Sequence, residues 1–419
     1  MTTSTTKKRS NPPLITRRLA VFLIGMALAE TSTTLTMVQV PVYLREQGAD
    51  ISQIGFFFTM AMIFPLVLRI LGGWLSDSIG RIRALAIGSI AGSMAYVAYA
   101  LAPDWRYAII GPTFLAITTA LVAPSYKAHI ADVAPQDGRA RIYGISEAVI
   151  TAAWIVGPPL GGVIAQRLSY RWMFLCAALT FLCAAAIFLI LRSTGKATPY
   201  TPPGKPTLRS LRSSLLEMLA LVLSGGLVAW LLITDGVRDV AAKMSFDLMP
   251  VYLSDIAGLS KQSIGFLDGI FGLALAAASI PAGWLIDKTS ERLGVVLGMV
   301  MLIASRLAFA LSSSFGGFAF SWSLLGIGAG LMDPAYSSLI AKGVPAHLRG
   351  ITFGLLTTSL GIISLPFPWI GSQIWTHFGP KAPFFTTVVL ASLAIIPAWF
   401  KLIAPKEPPN GESTLATQQ

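Results

Sequence analysis

The chain has 419 residues, of which 54% are hydrophobic and only 12% charged, with a mean hydropathy of +0.69. Soluble proteins carry about a quarter charged residues, so this composition excludes an ordinary soluble enzyme. It equally excludes a nucleic-acid binder, despite the formal net charge of +12.

From the start of the chain, "MTTSTTKKRSNPPLITRR" is polar and basic, and no small-residue cleavage site follows the first apolar block. That block reads as a retained span and not as a removed signal. Twelve apolar blocks follow one another, at about 17–44, 53–76, 83–101, 106–131, 140–165, 171–192, 220–253, 263–286, 293–312, 317–341, 351–375 and 383–404. Each is long enough to cross a hydrocarbon core about 30 Å thick. They predict an all-α polytopic membrane protein of twelve transmembrane helices. With the N-terminus inside, the cytoplasmic segments hold twenty Lys and Arg residues, from Lys7 to Lys406. The other side holds six: Arg45, Arg106, Arg167, Arg171, Lys261 and Lys381. This bias places both termini in the cytoplasm and the chain in the plasma (inner) membrane, so the basicity is a topology signal. The two cysteines, Cys176 and Cys183, lie one above the other on the sixth span, about 10 Å apart at the helical rise. That is too far for a disulfide, and both are expected in the core.

The segment "STGKATPYTPPGKPTLRSLR" is rich in proline, glycine and basic residues. It divides the chain into an N-terminal six-helix half (1–192), a cytoplasmic linker (193–214), a C-terminal six-helix half (215–404) and a cytoplasmic tail (405–419). The halves repeat each other. "PVYL" occurs at 41–44 and 250–253, an offset of 209, and "GWLSD" (73–77) matches "GWLID" (283–287) at an offset of 210. The offset of 210 also pairs "APSYKAHIADVAPQDGRARIYG" (123–144) with "DPAYSSLIAKGVPAHLRGITFG" (333–354). Two pseudo-symmetric six-helix bundles are expected, with a substrate site between them near the midplane.

The sequence resembles the major facilitator superfamily over essentially its full length. "GGWLSDSIGRIRAL" (72–85) matches that family's signature loop between helices 2 and 3, through Gly73, Leu75, Asp77, Gly80 and Arg81. The usual basic residue after Asp77 is Ser78 here, and the second copy keeps Asp287 and Lys288 but loses its Gly-Arg. The resemblance implies that Asp77 and Arg81, with Asp132 at the end of helix 4 and nearby Arg139, latch one state of a transporter and release in another. A static set of surface ion pairs is the alternative, each worth under about 1 kcal/mol. On the fifth helix, Gly144, Ala153, Gly157, Pro158 and Gly161 are similar to the antiporter signature of drug–proton exchangers. Small residues at this spacing let helices of opposite halves pack tightly, and Pro158 bends the span. Such exchangers usually carry an arginine in the fourth helix, which "IIGPTFLAITTALVAPSY" lacks, so a proton carrier must lie elsewhere.

Ionisable residues inside spans are functional candidates, because a charge at mid-bilayer costs at least about 2.5–3.5 kcal/mol. Glu30 lies within the first helix, as a proton carrier or as the partner of Arg69. Glu147 lies two turns into the fifth helix, with a solvated or gating role. Asp268 and Arg306, at similar depths on helices 8 and 9, are expected to compensate one another. The stretch "TDGVRDVAAKMSFD" (234–247) looks by hydropathy like a loop. The repeat moves it inside the seventh helix, since Asp239 falls on Glu30 at the offset of 209. Residues 208–219 then form an amphipathic lead-in. Asp235, Arg238, Asp239, Lys243 and Asp247 make one charged stripe at i,i+3 and i,i+4 spacings, either a pathway or a self-neutralising ladder.

There is no nucleotide loop, metal cluster or nucleophile motif, so neither catalytic activity nor a metal or cofactor is expected. The expected partners are a small-molecule substrate, protons and the lipid bilayer, with the monomer as the working unit. The reading is a secondary active transporter, a proton-coupled exporter of small amphipathic compounds. Import of a polar or anionic solute is the alternative, ahead of a lipid flippase or a sensor.

Overall fold

A computed structural model describes residues 16–133, 138–193, 216, 225–343 and 361–403, without the side chains of 67, 69–78, 140 and 343. The expected linker (all but Ser193), the tail and the lead-in (all but residue 216) lie outside these residues. The described elements are α-helices: α1 (Arg17–Met37), α2 (Val40–Glu46), α3 (Ile51–Ile79), α4 (Arg81–Leu101), α5 (Ile110–Val133), α6 (Arg139–Arg167) and α7 (Tyr170–Ser193). They continue with α8 (Leu227–Ser245), α9 (Met249–Asp255), α10 (Lys261–Lys288), α11 (Glu291–Leu311), α12 (Phe315–Gly343), α13 (Phe367–Phe378) and α14 (Ala382–Lys401). Among the described residues, nine helices are long and apolar enough to cross a membrane. The charged α8 falls outside that criterion for the same reason that hydropathy alone reads it as a loop.

Local chemistry sets the helix starts. The Thr16 hydroxyl caps α1 by accepting from Leu19 N at 3.2 Å, and Ser260 caps α10 by accepting from Ser263 N at 3.1 Å. Asp50 and Gln53 close a reciprocal capping box on α3, at 2.8 and 2.9 Å. Between α3 and α4, Gly80 has φ of 89°, a conformation that only glycine adopts at no cost. Its repeat counterpart Ser290 is extended, with φ of −167°. The loss of Gly-Arg from the second copy therefore follows from a differently shaped turn.

The structure divides into two compact units, one of residues 1–43 and 63–205, the other of residues 44–62 and 206–419. Inside the first unit α1 packs on α6 and α7, and α4 on α5 and α7; inside the second α8 packs on α13 and α14, and α11 on α12 and α14. These four helix pairs correspond under the sequence offset, and aromatic contacts within them correspond too. Tyr43, Tyr99 and Phe174 interlock with ring centroids 4.9–6.3 Å apart. Their counterparts Tyr252, Phe309 and Phe384 do so at 4.5–5.5 Å. Spans 1 and 7 both break at the same register, at residues 38–39 and at the 3-10 turn 246–248.

Two expectations are corrected. Cys176 is half-buried and Cys183 exposed, because the apolar surroundings of a membrane helix let an apolar side chain face outward at no cost. Gly157 and Gly161 press on Thr34 and Leu35 of α1, in their own unit, where a Cβ at Gly161 would overlap the Leu35 carbonyl. The expected packing across opposite halves is thus not the contact these glycines make. Gly371 presses on the Met244 carbonyl in the same way, so close helix approach at this register is a property of the repeat. Gly144 faces open space. Pro158, followed by Pro159, lies within a continuous α6.

Candidate functional site: charged faces inside the two units

In the first unit, α1 and α6 run side by side, pinned by the Thr34 hydroxyl donating to Ala153 O at 2.9 Å. One turn before Thr34 stands Glu30, half-buried; six residues before Ala153 stands Glu147, exposed. Both carboxylates therefore sit at closely similar depths, and they repel one another. Tyr126 of α5, buried, is within electrostatic reach of both. Arg69, the alternative partner for Glu30, has its side chain outside the described residues.

In the second unit, the stretch that hydropathy reads as a loop is helical: Thr234 to Ser245 close α8, and a 3-10 turn carries Asp247. The Arg238 guanidinium lies 2.7 Å from the Asp235 carboxylate and 5.7 Å from the ring centroid of Tyr336 on α12. Asp239 and Asp333 are within electrostatic reach of it. Lys243 interacts with Asp247. Among the described residues, only Asp235–Arg238 closes to an ion pair within the stripe. The self-neutralising ladder is therefore interrupted, leaving Asp239 and Asp333 as additional carboxylates around one guanidinium. Asp333 and Tyr336 are absent from the sequence-based set. Tyr336 was legible, since it falls on Tyr126 at the offset of 210; Asp333 falls on Ala123 and stands out only as a carboxylate inside an apolar span.

Asp268 and Arg306 do not compensate one another. Arg306 is 1% exposed and donates to Ser245 Oγ at 3.2 Å and more distantly, at 3.5 Å, to Ser305 Oγ. Asp268 is also buried, beside Trp322 of α12. Their helices, α10 and α11, flank α12 and scarcely touch, so equal depth does not bring the two side chains together. The repeat explains Arg306 instead. Its counterpart is Tyr96, which hydrogen-bonds Thr36 at 2.9 Å, and Thr36 is the counterpart of Ser245. An inter-helix hydrogen bond at the break of span 1 recurs at the break of span 7, with a guanidinium in place of a phenol.

At the signature loop, Arg81 pairs with Asp132 and donates to Ala128 O at 2.5 Å. Arg139 is exposed; the side chains of Gly73 and Asp77 lie outside the described residues. The second unit carries an arrangement that motif matching misses. Glu291 pairs with Lys342 at 2.7 Å and accepts from the Ser338 hydroxyl at 3.1 Å. Residues 291, 342 and 338 are Arg81, Asp132 and Ala128 moved by 210. The ion pair persists with its charges exchanged.

Carboxylates and guanidinium groups set within apolar spans, as Asp235, Asp268, Arg238 and Arg306 are, are the pattern expected of a membrane transporter. The Major Facilitator Superfamily model matches residues 22–239 and 231–418, and the chain belongs to that family. It is 22% identical over 387 residues to the multidrug resistance protein MdtG of Enterobacter lignolyticus, covering 89% of each chain. It is 23% identical to a Na+, Li+, K+/H+ antiporter of Planococcus maritimus, over 91% of this chain and 94% of that one. The fold is shared with a bacterial homologue of the human lysosomal transporter Spinster, with a TM-score of 0.73 at 14% identity, over 94% and 98% of the two chains.

Proposed function

We propose that this chain is a secondary active transporter that exports small amphipathic organic compounds in exchange for protons, by alternating access. The observation that carries the reading is the charged cluster of α8 and α12: Asp235 and Arg238 paired, with Asp239 and Asp333 beside them. At mid-bilayer each bare charge costs at least about 2.5–3.5 kcal/mol, and Arg238 balances only one of the three carboxylates. A proton or a cationic substrate group neutralises the surplus. In the first unit the Glu30–Glu147 repulsion is relieved by one proton or one bound cation. Proton and substrate competing for the same carboxylates is the simplest basis for exchange. The names of MdtG and of the cation/H+ antiporter agree with this direction.

In this reading Arg81–Asp132 at the signature loop is a gating pair, broken and remade as the transporter cycles. The monomer is the working unit, sitting in the plasma (inner) membrane with both termini cytoplasmic. Import of an anionic solute recognised by Arg238 and Lys243 is less favoured, because Arg238 already holds Asp235. A flippase or a sensor has no feature in its favour.

The test is uptake of a panel of amphipathic cations, neutral compounds and organic anions into everted vesicles, with and without a pH gradient. Gradient-dependent uptake of cations supports the reading. Uptake undiminished by collapse of the gradient contradicts proton exchange, and uptake of anions alone contradicts the substrate class.

A further inference from the structure

At one end of the second unit, the last turn of α14 lies between the first turns of α8 and α11, the two helices on which it packs. There the Arg292 guanidinium of α11 stands over the Trp399 ring of α14, 4.7 Å from its centroid. The Lys401 ammonium of α14 stands over the Trp230 ring of α8, at 5.3 Å. An indole face attracts a cation through its π-system, and leaves N–H donors of that cation free for another acceptor. Among the described residues, neither side chain forms an ion pair or a hydrogen bond. Glu291, next to Arg292 in sequence, is taken by Lys342 and Ser338.

Trp399 and Lys401 point to opposite sides of α14, since two residues turn a helix by about 200°. Phe400 points between them. It heads a stripe of Val389, Leu393, Ile396 and Phe400, each 60% to 66% exposed. The stripe runs about 16 Å along the helix, close to half of a hydrocarbon core about 30 Å thick. Two cations with donors to spare therefore flank the head of an apolar track as deep as one leaflet. A free phosphate ion would use only the cations, whereas a phospholipid with an acidic headgroup uses the track as well.

The first repeat carries the track without the cations. Leu179, Cys183, Ala186 and Ile190 of α7 are the counterparts of the stripe and are exposed too. Val21, Ile82, Leu189 and Leu191 stand where the second repeat has Trp230, Arg292, Trp399 and Lys401. Single Trp, Lys and Arg residues are common anchors at a membrane interface. Here all four change together and stack as two pairs, which marks a built site and not scattered anchors.

We propose that Arg292 and Lys401, held by Trp399 and Trp230, bind the headgroup of an anionic phospholipid whose acyl chains lie along α14. The guanidinium and ammonium donate to the phosphate oxygens. The indoles hold both cations in place beforehand, which lowers the ordering cost of binding. The site depends on neither the transported compound nor the coupling ion.

The test uses the full-length protein purified in detergent, titrated with phosphatidylglycerol or with phosphatidylcholine of the same chains, with bound lipid counted by native mass spectrometry. Two cations near a membrane surface correspond to a preference of about thirtyfold for the anionic lipid. Arg292→Ile with Lys401→Leu installs the residues of the first repeat and should bring that preference close to one, with each single change costing about fivefold. Arg17→Leu with Arg192→Leu removes two exposed cations from the first unit and should leave the preference intact. Millimolar inorganic phosphate should leave the bound lipid in place. Equal affinity of the parent for the two lipids, an undiminished preference in the Arg292 and Lys401 double variant, or an equal loss in the Arg17 and Arg192 variant would overturn the site. Full displacement by phosphate would make it a site for a free anion and overturn the lipid. If the double variant is not monodisperse, Arg292→Gln with Lys401→Gln takes its place with the same expected loss.

Discussion

The two repeats share a skeleton of contacts and differ in where they place charge. In each, a glycine presses on a backbone carbonyl of the broken span: Gly161 on Leu35, Gly371 on Met244. In each, a hydroxyl ties that span to the last helix of its unit, but with the donor exchanged. Ser32 of α1 donates to Ala177 O at 2.6 Å, whereas Thr387 of α14 donates to Ala241 O at 2.8 Å. The ion pair at the signature loop is reversed in sign in its repeat counterpart, from Arg81–Asp132 to Glu291–Lys342. Tyr96 becomes Arg306. Around Glu30 the first unit has carboxylates and no described basic partner; around Asp235 the second has carboxylates and an arginine. Backbone packing therefore tolerates exchange of side-chain roles, while carboxylates within the spans are a feature of both units.

The largest expected effect lies in the shared skeleton. Gly161→Leu or Gly371→Leu drives a side chain into a carbonyl that cannot retreat, and neither variant should give folded protein by size-exclusion chromatography. Gly144→Ala, which meets open space, should behave as the parent. Next comes the buried pair. Arg238→Gln leaves Asp235, Asp239 and Asp333 without their guanidinium and should destabilise by on the order of 3 kcal/mol, read as a lower melting temperature. Adding Asp235→Asn should recover part of that loss. If the single and double variants melt alike, the two residues are not coupled.

Arg306→Tyr imports the solution of the first repeat. Replacing a buried charge by a neutral group of suitable shape is often neutral, or stabilising by about 1–4 kcal/mol. The melting temperature should hold or rise, whereas a fall of many degrees would show that the charge has a partner not described above. The smallest effect is at the partly exposed ion pair of the second repeat. Glu291→Arg with Lys342→Asp rebuilds the polarity of the first repeat and should lie within about 1 kcal/mol of the parent, with each single change less stable than the double.

The twelve-span, two-repeat fold was legible because hydropathy period and a fixed offset are long-range signals averaged over many residues. Placement of 234–247 within the seventh span, in α8 and the 3-10 turn after it, follows from the same offset, against local hydropathy. Pairing was not legible where it depended on which helices touch. Depth suggested Asp268 with Arg306, but α12 stands between their helices. The Glu291–Lys342 pair escaped because a motif is searched by residue type, and the repeat preserved the position and the attraction while exchanging the signs. The role of the small residues in α6 was misassigned for a similar reason: spacing shows that a helix approaches closely, and not which helix it approaches.

The central claim is that carboxylates within the spans carry protons against substrate. Substrate-driven proton movement in proteoliposomes tests it most directly, using a compound that the vesicle panel finds to be transported. It should be compared between the parent and Glu30→Gln, Asp235→Asn and Asp239→Asn. The account predicts that at least one variant, still monodisperse and still binding the compound, moves no protons. Parental proton movement in all three variants would contradict it.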